Sequence, residues 1–129
     1  MMREILFKAK RKDNGEWVEG LPGYDINGKI TEIEVYKKVF DCRIYEIDPN
    51  TLCQFTGLTD KNGKKIWEND VVIYDKFVGY VVFKKCQYII KWINNENLRD
   101  DLYFWATNRK SLIWRVCDVF GIPELLEVE

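Results

Sequence analysis

Three times along this 129-residue chain an Asn-Gly dipeptide, at Asn14-Gly15, Asn27-Gly28 and Asn62-Gly63, interrupts runs rich in β-branched and aromatic residues. Asn-Gly between such runs is a strong short-range signal for a hairpin, because tight turns need positive φ and glycine reaches it without a Cβ clash. The first turn follows Ile5 to Lys12, alternating at Ile5, Phe7 and Ala9, and precedes Glu16 to Glu19 with Trp17 and Val18. After Leu21-Pro22-Gly23 and the second turn, Ile30 to Tyr36 sets Ile30, Glu32 and Glu34 against Thr31, Ile33 and Val35, the period of a strand. Phe40 to Ile47 is a further strand candidate. It is closed by Asp48-Pro49-Asn50, where proline restricts the residue before it.

Beyond that seam, Cys53 to Gly57 and Ile66-Trp67 flank the third turn and pair across it. Asp70 to Tyr74, Gly79 to Phe83 and Tyr88 to Ile93 are three β-branched, aromatic runs at short spacing, the pattern of a meander. Asn94 to Asp101 is polar, a loop or a single helical turn, while Leu102 to Ala106 and Leu112 to Phe120 are apolar enough to return to the core. No helix longer than two turns is expected, and there is no internal repeat or low-complexity stretch. The sequence therefore predicts a mainly β protein in two parts. Residues 1–50 form an N-terminal hairpin and meander subdomain, and residues 51–129 a small curled sheet or SH3-like barrel.

Composition narrows the function. Histidine is absent, which removes the usual general base, the Ser-His and Cys-His pairs and most zinc hydrolase sites. The four cysteines, Cys42, Cys53, Cys86 and Cys117, are widely spaced with no Cys-x-x-Cys pair, so they read as reduced thiols and not as metal ligands. A net charge of −1 gives no whole-molecule attraction to phosphate. The opening apolar run is too short for a signal peptide, and no later run approaches the ~20 apolar residues that span a bilayer. A non-enzymatic cytoplasmic protein, without cofactor or metal and without a membrane, is the expectation.

The run QFTGLTDKNGKKIWENDVV, Gln54 to Val72, closely resembles the signature of the YopX family of phage and prophage proteins. FKAKRKDNGEWVEG, Phe7 to Gly20, and IDPNT, Ile47 to Thr51, resemble the same family in the same order. The resemblance implies a mainly β fold, with a single YopX-type domain as the alternative to two subdomains. It also implies a setting of phage carriage or infection and a tendency to self-associate. It carries no catalytic residues over, because such proteins look like accessory factors without a settled activity. Two positions depart from the pattern: Asn69 stands where the family commonly has glycine, and Ile122 precedes Pro123-Glu124-Leu125-Leu126 where asparagine is common.

Asp60, Glu68 and Asp70 lie close around the third turn and could act as acids or as oxygen ligands for a hard cation. The simpler reading assigns Gly57, Asp60, Asn62, Gly63, Asn69 and Asp70 to turn structure. Gly57 and Gly63 with Lys64-Lys65 lack both the spacing of a phosphate loop and a following helix. The favoured function is a protein-binding or self-associating module using Trp67, Trp92, Trp105 and Trp114, since aromatic residues dominate interface cores. The alternative is a nucleic-acid-binding barrel using the stretch Lys76 to Asn95, which contains no acidic residue. There Lys76, Lys84, Lys85 and Lys91 would hold a backbone while Tyr88 and Trp92 stack on bases.

Overall fold

Strand follows strand almost without a break, as the spacing of turns demands. The computed structural model of the chain describes residues 4–38, 40–94, 97–107 and 113–122. Asn95, Leu112 and the Pro123 to Leu126 ending lie outside the described residues. The chain divides into two units, residues 1–55 and 56–129. The fold is mainly β and antiparallel, in agreement with the sequence.

The first unit holds β1 (Phe7–Lys10), β2 (Trp17–Tyr24), β3 (Ile30–Lys38) and β4 (Asp41–Glu46), with the start of β5 (Cys53–Thr59). Their order across the sheet is β4-β3-β2-β1-β5. The sheet curls until Ile47, just past β4, bridges Arg11, just past β1. Ala9, Ile33 and Ile47 are thereby enclosed, with Phe7, Val18, Val35 and Leu52 packed against them. β2 changes partner midway, pairing with β1 up to Gly20 and with β3 from Leu21. A Cβ at Gly20 would run into the carbonyl of Glu34, so the switch requires glycine. Within the first unit, Pro49–Thr51 is a single 3-10 turn capped by Asp48. Thr51 Oγ donates to the Asp48 carbonyl (2.7 Å) and accepts from the Lys10 N–H (2.9 Å).

The second unit contains β6 (Lys65–Trp67), β7 (Asp70–Tyr74), β8 (Phe77–Lys84), β9 (Gln87–Trp92), α1 (Leu102–Thr107) and β10 (Trp114–Asp118). Its sheet runs β10-β7-β8-β9 and is open. The barrel considered from the sequence does not form, because β9 receives the segment at Asp100 and Asp101 along its outer side instead of another strand. The Ile90 N–H donates to the Asp100 carbonyl at 2.7 Å, and Ile89 bridges Asp101. One face buries Val72, Val81, Ile90 and Trp92 with Ile66, Leu102, Trp105 and Ile113, and the other packs Val71 and Tyr80 on Val119. Helix α1 is under two turns long and starts at Asp101, whose carboxylate accepts from the Tyr103 N–H at 3.0 Å.

Turn chemistry follows the sequence at two Asn-Gly sites and departs from it elsewhere. In Asp25 to Lys29 and again in Asp60 to Lys64, the Asp carboxylate accepts from the N–H groups two and four residues on, all at 2.8 to 2.9 Å. Gly28 (φ +81) and Gly63 (φ +80) take the left-handed position, while the preceding asparagines do not. These are three-residue loops with a glycine bulge, a close relative of the two-residue Asn-Gly turn. The true two-residue turn with positive φ at both centres joins β8 to β9, and it is built from Lys85 (φ +52) and Cys86 (φ +64). Neither residue favours that conformation. Replacing the pair by Asn-Gly relieves the strain, so Lys85→Asn with Cys86→Gly is expected to stabilise the protein by about 1 kcal/mol. A thermal melt of the double variant at or below the parent's midpoint would show that this strain is not there.

Candidate functional site

Of the three carboxylates singled out around the third turn, Asp60 and Asp70 both reach Arg115. Asp60 is buried, with one carboxylate oxygen closing its own turn and the other accepting from the Arg115 N–H at 2.8 Å. Beside it the Lys61 N–H donates to the Ile113 carbonyl (3.0 Å), and the Lys61 ammonium stands 3.8 Å above the Trp114 ring. Asp70 is fully buried. Its Oδ2 accepts from the Trp67 N–H (2.7 Å) and lies 2.9 Å from Arg115 Nε. Asn69 adopts φ +71, the conformation for which glycine is the usual choice. Its N–H donates to Val81 (2.7 Å) and its carbonyl accepts from Val119 (2.8 Å). Thr56 completes the hairpin by donating to the Ile66 carbonyl at 2.7 Å, and Gly57 sits at φ +85 within β5.

This arrangement holds strands together. Both carboxylate oxygens of Asp60 and Oδ2 of Asp70 point at backbone N–H groups or at Arg115. Arg115 is the residue that sequence reasoning missed. It engages Asp60 through its backbone and Asp70 through its side chain, and its position 55 residues beyond Asp60 gives no local signal.

The tryptophans are placed differently from the surface role considered for them. Trp67, Trp92 and Trp105 are buried. Trp92 and Trp105 meet edge to face at 5.4 Å between centroids, and both indole N–H groups donate to the Arg99 carbonyl. Gly79 lies opposite Trp92 in the ladder, and a Cβ there would press to 3.0 Å from the indole. Trp114 is half-buried under Lys61. The buried rings of Trp67, Trp92 and Trp105 do what aromatic residues do in a small core: each buries a large apolar area, and the N–H groups of Trp92 and Trp105 find a partner.

The basic stretch is dispersed. Lys84 and Lys85 are at one end of β8 and Lys76 at the other, about 23 Å away for eight residues of strand. Lys91 is exposed on β9, Tyr88 is half-buried edge-on to Phe83 (5.0 Å), and Trp92 is interior. Lys84 and Lys91 do share the lining of an open depression of about 490 Å³ with Phe83, Leu98 and Asp100.

Exposed apolar side chains cluster instead in the first unit, where Leu21, Tyr24, Ile26, Tyr36, Phe40 and Ile44 are all exposed. Leu21, Glu34 and Ile44 lie directly opposite one another across β2, β3 and β4, and Tyr36 is the next residue of that face, opposite Cys42. Leu21, Tyr36, Cys42 and Ile44 therefore share one surface. The Tyr36 hydroxyl donates to Glu34 Oε1 at 2.8 Å. That bond, with the Cys42 thiol alongside, pushes the phenol up to about 12.

The structural reading of the third turn has a direct test, because Asp25 and Asp60 close the same loop and Asp60 alone also receives Arg115. Asp60→Ala is expected to cost roughly 3 kcal/mol in urea unfolding and Asp25→Ala about 1 kcal/mol or less. Equal losses would mean that the bond to Arg115 contributes nothing.

Known proteins bear on this framework. Among curated proteins none matches the chain. The crystal structure of protein EF1440 from Enterococcus faecalis is similar to it with a TM-score of 0.63, at 18% identity over 97% of this chain and 99% of that one. At that identity the likeness is one of fold. The YopX protein family matches residues 6–127, a span that takes in both units, the third turn and Arg115. The chain belongs to the YopX protein family.

Proposed function

We propose that this chain is a phage accessory protein that works by binding protein, itself or another, and not by chemical turnover. One observation carries the reading: Leu21, Tyr36 and Ile44 are exposed around Glu34 on one face of the first unit's sheet, while Trp67, Trp92 and Trp105 of the second unit are buried. Exposed apolar groups beside charge mark contact surfaces, and here Glu34 stands among the apolar residues while the Glu32–Glu46 pair borders them. Asp60 and Asp70, two of the three carboxylates that sequence reading offered for catalysis, are engaged in holding strands. No helix among the described residues is long and apolar enough to cross a membrane. The setting we propose is the bacterial cytoplasm during phage carriage, which the resemblance to phage and prophage proteins supports.

The test is capture from infected host cytoplasm with and without nuclease, run beside the Leu21→Lys, Tyr36→Lys double variant. A bound protein that survives nuclease and is lost with the variant supports the reading. A bound species lost to nuclease but indifferent to the variant overturns it, and moves the function to Lys84 and Lys91.

A further inference from the structure

The β3–β4 hairpin leaves the sheet as a two-stranded ribbon. The last pair between β2 and β3 is Leu21–Glu34, whereas β3 and β4 stay paired beyond it through Val35–Arg43, Tyr36–Cys42 and Lys38–Asp41. Cys42, Arg43 and Ile44 are exposed one after another. Successive side chains point to opposite faces, so both faces of β4 are open here. Beyond Val35, which still packs on the core, the two-stranded ribbon is exposed; such a ribbon is marginal in water, and a third strand stabilises it.

The backbone shows which groups that strand would meet. The Ile47 N–H donates to Thr31 on the β3 side (3.1 Å), and the Glu46 carbonyl accepts from the Lys12 N–H on the other side (3.0 Å). Hydrogen-bonding direction alternates along a strand, so Glu46, Ile44 and Cys42 aim their N–H and C=O groups away from β3. At Glu46 the Arg11–Lys12 segment occupies that edge. Among the described residues no strand occupies it at Cys42 and Ile44.

We propose that this edge takes a second copy of the same chain, β4 pairing antiparallel with β4 across a two-fold axis at Cys42. The inference rests on the interaction-module reading and names its partner. Charge selects the register. An axis at Arg43 sets that residue against its own image, and an axis at Ile44 drives the partner strand into the segment from Arg11 to Asp13. The axis at Cys42 places Asp41 opposite the partner's Arg43, and by symmetry does so twice. Opposite charges directly across a ladder are favourable and like charges are not. The same register brings Ile44 toward the turn that carries the partner's Phe40, and Phe40 is fully exposed in the single chain.

The experiment is sedimentation equilibrium of the full chain with Asp41→Arg, Arg43→Asp and the double variant carrying both. Each single change sets like charges opposite each other at two places and is expected to weaken the dimer about tenfold or more, while the double variant restores it. All four residues from Asp41 to Ile44 lie at the surface or partly so, and far-UV circular dichroism confirms that each variant is folded. A short bifunctional maleimide should join two copies through Cys42, the yield vanishing in Cys42→Ser and persisting in Cys86→Ser. A dimer indifferent to both charge changes overturns this edge and leaves the module reading standing. A monomer at every concentration that still captures a host or phage protein through Leu21 and Tyr36 also overturns it. A monomer that captures nothing overturns both.

Discussion

Arg115 ties the second unit together, because two buried carboxylates far back in the chain converge on it. Asp60 reaches its backbone N–H at 2.8 Å and Asp70 stands 2.9 Å from its Nε. A buried carboxylate without such partners costs several kcal/mol, so the third turn and the start of β7 are stable in place only when β10 lies against them. The left-handed Asn69 belongs to the same arrangement, since its carbonyl receives Val119 just beyond β10. Strand, turn and buried charge form one mutually dependent set.

The most distinctive stretch of the sequence is therefore the part that builds the fold. Gln54 to Val72 contains Thr56, Gly57, Asp60, Gly63, Asn69 and Asp70, and each holds a turn or joins one strand to the next. The YopX family match spans residues 6–127 and takes in this architectural stretch. The exposed ribbon that carries our functional reading lies outside that stretch.

Much of the architecture was legible, for local reasons. Asp70 to Tyr74 reads as a strand from its β-branched run and is one from end to end. The two loops at Asp25 and Asp60 follow from Asp, Asn and Gly at fixed offsets, because an Asp side chain bonds its own backbone and glycine takes the reversal. What escaped was set by distance or by tertiary override. Lys85-Cys86 has no turn signature, and the ladder on either side forces it into positive φ. Trp92 and Trp105 were offered to the surface or to the seam between the two halves on a count of aromatic residues. The count could not reveal that Gly79 makes room for one ring, or that the Arg99 carbonyl satisfies both indoles.

The dependence of Asp60 and Asp70 on Arg115 has a consequence for biosynthesis. A chain emerging from the ribosome at about 5 to 20 residues per second presents both carboxylates well before their partner, which lies 55 residues beyond Asp60. Until β10 is out of the exit tunnel, the hairpin of β5 and β6 can form locally but cannot bury its acidic residues. The second unit is thus held open during translation, and its apolar faces close in one late step. The first unit, whose four strands are contiguous in sequence, is free to fold ahead of it.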